Sequence, residues 1–221
     1  MLTPYDWQEG IGHRAGYVES RLAQGSPVLA ASIPEGIVIY TATRETTKLF
    51  EVYDRLAFSA IGQQSDIEAI RVAAVEFAHR EGFNRSEDDV TIQRVVAGLS
   101  DSIKRAFADF NTSPVVARCL FAEVGASPAE DRFFLLDYDG DYWRSDRTAV
   151  LCAGEERSGY LQAEMDAEDF GAMTHHKAIT ALRRVYKSTS AEGEEGMVPE
   201  AVLLSRDPNR ENRFVALEPT A

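Results

Sequence analysis

The sequence predicts an α+β fold: two antiparallel sheets packed together, a helix layer on each outer face, and an extra helix at the N-terminus. Three observations carry this. Apolar runs of strand length come in groups, four between residues 27 and 61, four between 115 and 153, and two after 200. Paired segments with apolar residues at helical spacing separate those groups. Strands and helices therefore do not alternate one for one, as a doubly wound parallel sheet requires. Grouped strands and grouped helices give antiparallel sheets with the helices set apart on their faces.

Each element follows in turn. Residues 13–24, HRAGYVESRLAQ, read as a short helix with Tyr17 and Leu22 as its larger apolar groups, ended by Gly25. The stretches 27–32, 36–42, 49–53 and 56–61 are rich in β-branched and aromatic residues and bounded by Pro34, Gly36, Asp54 and Gly62, so they read as strands. In 66–82, Ile67, Ile70, Ala74 and Phe77 recur at helical spacing. Ser86 and Asp89 form a variant of the capping box that opens the next helix. That helix carries Ile92, Val95, Leu99, Ile103, Phe107 and Phe110 on one face until Pro114 stops it. At about 24 residues it would run roughly 36 Å. Strands return at 115–124, 132–138, 142–145 and 148–153, followed by helices near 155–165 and 173–188. The last strands, 200–205 and 212–217, flank the turn-rich SRDPNREN, and AEGEEG at 191–196 reads as an exposed loop.

Composition limits the functions available. The chain has 221 residues, 44% hydrophobic and 27% charged, an ordinary globular balance. The expected organisation is a flexible segment at 1–12, one domain at 13–217 and a tail at 218–221. Nucleic acids and anionic membranes call for clustered Lys and Arg, and the formal net charge of −13 runs the other way. The longest apolar runs fall far short of a membrane span, and MLTPYDWQEGIGHR has no basic stretch leading into an apolar core. A cytoplasmic protein is expected, with Cys119 and Cys152 as reduced core residues.

Several short motifs fail on their chemistry. GIGHRAG at 10–16 has no preceding strand to make it a dinucleotide loop. DYDGD at 137–141 has its glycine misplaced for calcium, and Thr148 stands where a bidentate Glu would be needed; Asp139-Gly140 reads instead as a type I′ hairpin turn. His175 and His176 project about 100° apart on a helix and complete no metal site, so they read as a solvated helix start. No cofactor or metal is expected. Lys48, in ETTKLFEVYDRLAFSAIG at 45–62, stays open. On the residues alone it is an exposed strand-start lysine, a docking point for a carboxylate, or a group that tunes a base.

The run KLFEVYDRLAFSAIGQQSDIEAIRVAAVEFAHREGF at 48–83 resembles the corresponding block of proteasome subunits. In them a lysine precedes a short strand, a second strand ends in glycine, and a long helix follows. The order of elements also matches through YDGDYWRS and CAGEE to the final strand pair. The resemblance is nearest to bacterial α-type subunits. It implies the four-layer αββα sandwich of the N-terminal-nucleophile hydrolases.

That fold has protease (β-type) and inert (α-type) versions. A nucleophilic threonine uses its own α-amino group as base, so it must begin the first strand. Here that strand opens Gly25-Ser26-Pro27-Val28, with Gly25 at the nucleophile's place and no Gly-Thr cleavage site. The partner acid's place falls on Ala42, the serine after the eighth strand falls near Ala153, and KSTSAEGEEG holds no Asp. Of that constellation Lys48 alone is present, and a lone lysine performs no acyl transfer. The resemblance therefore implies a non-catalytic α-type subunit, and the extra helix at 13–24 agrees with it, because β-type subunits lose their pro-segment.

The resemblance implies partners and sites as well. Seven copies would form an outer ring that controls access to a proteolytic β ring. Lys48, flanked by Gly25 and Gly62, would line a pocket between neighbouring copies. It would receive the terminal carboxylate of a ring ATPase or other activator whose tail ends hydrophobic-Tyr-any residue. An ammonium in a half-buried pocket pairs with a carboxylate more strongly than on open surface, and seven sites multiply a weak contact. Residues 1–12 would be the gate, the two glycines letting the backbone move. Related gates begin Tyr-Asp-Arg and carry Ser-Pro-Asp-Gly-Arg; here Trp7 follows Tyr5-Asp6 and the second element is missing. Tyr5, Asp6 and Tyr17 are carried over on position alone. Two alternatives stand beside this reading. One is a self-processing hydrolase using Ser26 after cleavage at Gly25, against which Pro27 and Ala42 weigh. The other is a stand-alone ring scaffold without a β partner.

Overall fold

The structure is a computed structural model that describes residues 4–44, 46–189 and 196–219. After helix α1 (Pro4–Leu22) come strands β1 (Val28–Ile33), β2 (Gly36–Thr43), β3 (Leu49–Tyr53) and β4 (Leu56–Gly62). Helices α2 (Gln64–Asn84) and α3 (Ile92–Ala108) follow, then β5 (Ala117–Glu123), β6 (Arg132–Leu136), β7 (Tyr142–Ser145) and β8 (Thr148–Leu151). The chain closes with α4 (Glu155–Asp166), α5 (His175–Ser188), β9 (Val198–Ser205) and β10 (Phe214–Leu217). The strands form two five-stranded antiparallel sheets, ordered β10-β9-β2-β1-β8 and β3-β4-β5-β6-β7.

Alternation assigns each strand residue to a layer. Ile37 and Ile39 of β2 meet Ala57 and Ile61 of β4 in the space between the sheets. Val38 and Tyr40 turn outward under α4 and α5. Leu56, Phe58 and Ala60 turn outward under α2 and α3. Both faces of β2 and β4 are covered, so these strands are almost wholly apolar and buried rather than half polar. Phe58 stands opposite Phe121 across β4 and β5, with ring centroids 5.0 Å apart. Each such fully buried ring contributes roughly 1.5–3 kcal/mol. No described helix is long and apolar enough to cross a membrane.

Some boundaries differ from the sequence reading. Helix α1 begins at Pro4, not at residue 13, so residues 4–12 are helical rather than loose. Packing holds them: Trp7 meets Phe110 edge to face at 4.9 Å, and Gly10 lies so near Phe110 that an added Cβ would stand 2.8 Å from its ring. Helix α3 is 17 residues long, shorter than expected at both ends. Ser86 caps only a 3-10 turn, Glu87–Asp89, accepting from the Asp88 amide. The true helix start is satisfied from another element, where the Ile92 amide donates to the Glu123 carboxylate at 3.0 Å. The helix ends before Pro114 because Asp109 turns to extended backbone and its carboxylate accepts from the Asn111 amide. Phe110 thus lies beyond the helix, against α1. In the β6–β7 hairpin Gly140 alone has positive φ, at 88°, and its amide donates to Asp137. This is a single left-handed glycine after an ordinary turn, not type I′, which needs positive φ at Asp139 too. Residues 191–195 of the expected AEGEEG loop, with Met1–Thr3 and Thr220–Ala221, lie outside the described residues.

Candidate functional site

The site is built where β1, β2, β3 and β9 meet. Antiparallel pairing sets Val28 opposite Thr41, which lays Ser26 and Pro27 beside the end of β2. Thr41 donates its hydroxyl to the Pro27 carbonyl at 2.7 Å, and Ser26 donates to the Ala42 carbonyl at 2.5 Å. Glu200 lies opposite Thr41 on β9 and crosses to the other sheet. Its carboxylate accepts from the Lys48 amide at 2.9 Å, the Leu49 amide at 3.4 Å and the Thr47 hydroxyl. That fixes the start of β3. The Lys48 side chain then reaches back to Ser26, its ammonium donating to the hydroxyl at 2.6 Å and the carbonyl at 3.0 Å.

Ser26, Thr47 and Lys48 help to wall an open cavity of about 510 Å³. Gly25, Lys48 and Gly62 all line it, so the three residues chosen from sequence converge. Phe50, Ile67 and Met197 supply apolar surface. Arg44, Lys48 and Arg157 line it too, and no Asp or Glu does among the described residues, in a chain of net charge −13. Arg157 is held by the Thr189 carbonyl at 2.9 Å.

Packing within the chain also demands glycine at positions 25 and 62. A Cβ on Gly62 would lie 2.1 Å from the Val116 carbonyl, at a φ of +136°. A Cβ on Gly25 would lie 2.8 Å from that of Ile61. The close approach is internal to the chain.

This arrangement does not support acyl transfer by Ser26. Its hydroxyl proton is given to the Ala42 carbonyl, and Lys48 donates to the same oxygen rather than drawing the proton away. Its nitrogen is a peptide nitrogen behind Gly25, whose amide closes the end of α1 on the Leu22 carbonyl at 2.9 Å. The Ala42 side chain faces the apolar layer under α5.

Of the residues expected at a gate, Asp6 and Tyr17 do not come together within one chain. Asp6 is exposed in the first turn of α1, and Tyr17 is 50% exposed on the same helix. Twelve residues of helix separate positions 5 and 17 by about 18 Å. The Tyr5 side chain lies outside the described residues.

Sequence reasoning missed Glu200, 152 residues from Lys48. Its one signal was a carboxylate in the otherwise apolar strand run VPEAVLLS. It also missed Arg118, which binds Asp137 at 2.8 and 3.0 Å and Glu19 at 2.7 Å. Burial opposes the Arg118 charge, but these carboxylates outweigh it and raise its pKa. Burial, with Glu19 and Asp137 nearby, pushes the Tyr138 phenol up to about 12. Both cysteines are buried and neither is in a disulfide, Cys119 under α2 and α3 and Cys152 under α4 and α5. His175 is not merely solvated: its Nδ1 pairs with Glu35 at 2.5 Å and its amide donates to the same carboxylate at 3.2 Å.

Two sheets between helix pairs, with a strand-start lysine but no chain-terminal nucleophile, define an N-terminal-nucleophile hydrolase fold without its catalytic group. The model of the family described as Proteasome subunit matches residues 23–196, and the chain belongs to that family. It is 28% identical to a proteasome subunit alpha of Streptomyces coelicolor, over 97% of this chain and 86% of the relative. It is 32% identical to that of Jonesia denitrificans, over 90% and 86%, and 29% identical to that of Streptosporangium roseum, over 96% and 82%. With these α-type relatives, the geometry at Ser26 makes this a non-catalytic subunit of α type.

Proposed function

We propose that this chain forms the outer ring of a cytoplasmic 20S-type core, seven copies closing head to tail on a proteolytic β ring. In this reading residues 13–217 act as one folded unit, and the segment before them, with Tyr5 and Asp6, governs passage through the ring alongside Tyr17. The Lys48 cavity receives the C-terminal carboxylate of a ring ATPase or other activator. Its tail would end in a hydrophobic residue, a tyrosine and one further residue. The observation that carries this is the convergence of Lys48, Gly25 and Gly62 on one open cavity with cations and no described carboxylate. An arriving carboxylate meets an ammonium already aimed by Ser26, and a charge-assisted hydrogen bond to it is about twice as strong as a neutral one.

The test has two parts. Native mass spectrometry of the chain alone should give full-length subunits in sevens; a subunit shortened to begin at Ser26 would favour the self-processing hydrolase. Binding of a labelled peptide ending Leu-Tyr-Ala is then measured on the assembled protein. Amidating its C-terminus, or Lys48→Ala, should each weaken binding about tenfold. A Lys48→Ala ring that holds the free-acid peptide as tightly as the unaltered ring sinks the docking role.

A further inference from the structure

A second cavity, of about 240 Å³, lies on the other face of the β2–β9 pair, under α5. Buried Tyr40 and Tyr186 line it with Arg183, Lys187, Met197 and Pro199. The two phenol rings meet edge to face at 5.6 Å. Arg183 and Lys187 are four residues apart on α5, so they share one face of the helix. Their neighbour Arg184 is paired with Glu168, but among the described residues no ion pair involves Arg183 or Lys187. No Asp or Glu lines the cavity among those residues either. Burial raises the Tyr40 pKa despite Arg183 beside it, so the phenol keeps its proton and can donate. Two cations and a protonated phenol around an open space suit an anion of carboxylate size.

This cavity and the Lys48 cavity stand back to back. Met197 lines both. The Lys48 ammonium donates to the Ser26 hydroxyl at 2.6 Å, and that hydroxyl donates to the Ala42 carbonyl at 2.5 Å. Ala42 itself lines the second cavity. The Lys48 ammonium thus lies within about 8 Å of it through the strand. Over the end of the ladder the way is open: the last pair of β2 and β9 is Thr43 with Val198, and Val198 is 60% exposed. Three to five residues of extended chain, about 10–17 Å, would pass around that end.

We infer that the second cavity takes an acidic side chain, Asp or Glu, standing three to five residues before the carboxylate that Lys48 receives. The occupant belongs to the same tail, whose backbone crosses the end of β2 and β9 and covers Val198. The inference rests on the tail reading and names what else that tail must carry. Arg183 and Lys187 then select among tails, because a neutral side chain at that position leaves both cations unmatched.

The experiment compares two labelled ten-residue peptides on the assembled protein at low salt. Both end Leu-Tyr-Ala; one carries Glu and the other Gln at the fourth to sixth positions from the end. The acidic peptide should bind about tenfold tighter, against the repulsion of a chain of net charge −13. Arg183→Ala with Lys187→Ala should erase that difference, with thermal melting as the fold control. Lys104→Ala with Arg105→Ala, exposed on α3 in the other helix layer, removes the same charge and should preserve it. Equal binding of the two peptides by the unaltered protein overturns this inference. The tail reading still stands in that case if amidating the C-terminus weakens both. A preference that survives the loss of Arg183 and Lys187, or that vanishes equally without Lys104 and Arg105, places the acid elsewhere and overturns the inference too. If neither peptide binds, both readings fall.

Discussion

The two ends of the sandwich use the same kinds of residue to opposite effect. At the Lys48 end, a serine and a lysine line an open cavity, and a glutamate outside its lining holds the lysine's backbone amide. At the other end, Asp131 has a fully buried side chain and receives both Arg206 guanidinium nitrogens at 2.7 and 2.8 Å. It also accepts from Ser32 at 2.6 Å and from the Gly125 amide at 2.9 Å, while Arg206 donates further to the Ile33, Pro34 and Gly125 carbonyls. A buried charge is tolerated only with this many partners. The closed end ties β1 to the turn after β9. The open end leaves polar groups at a solvent boundary, where a partner can reach them.

Substitutions should separate the ends, and their effects can be ranked. Arg206→Ala strands the Asp131 charge and should lose about 3–5 kcal/mol in denaturant unfolding. A loss below about 1 kcal/mol would mean that this end is not locked. Gly62→Ala forces a side chain into the Val116 carbonyl at a left-handed φ. A loss of about 3 kcal/mol is expected by the same measurement, marking rigid backbone beneath the open cavity. Ser26→Ala removes one buried hydroxyl but leaves its carbonyl for Lys48, so about 1 kcal/mol should go, read as a lowered midpoint. Ser59→Ala, midway along β4, should change stability least. Its hydroxyl is buried with no hydrogen-bond partner, so removing it should be neutral or gain up to about 1 kcal/mol. A clear loss there would reveal a partner that the geometry does not show.

Alkaline titration adds a check away from both ends. The folded-state pKa of Tyr138, about 12, lies above the ordinary phenol value of 10.0. The unfolded chain therefore loses this proton first, and stability should fall as pH rises from 10 towards 12. Tyr138→Phe should flatten that fall in ultraviolet-monitored melts.

Local patterns made most of the fold readable. Apolar runs such as GIVIYTA and LAFSAI end at glycines or turn residues, and the structure forms strands at each. The helix after Ser86 was misjudged because its start depends on Glu123, from β5 and 31 residues away, and no nearby residue reports that. Its end also came before the expected stop at Pro114, at Ala108, although Asn111, Thr112 and Ser113 are turn formers ahead of that proline. At the site, Lys48, Gly25 and Gly62 came from resemblance, whereas what holds Lys48 came only from three dimensions. Ser26 is 22 residues from Lys48 and Glu200 is 152. Contacts that span different strands leave no periodic trace.

One detail of the open end bears on how it would choose its guests. A lysine on open surface samples many rotamers, and stilling one costs up to about 1.5–2 kcal/mol of entropy. In this chain the Ser26 carbonyl and hydroxyl have already stilled it during folding. A newcomer thus meets a stationary donor rather than a flexible arm that could follow it. If the cavity takes a tail as proposed, such a site would measure distance along it, and an acid set one residue too high would find its counterpart out of reach.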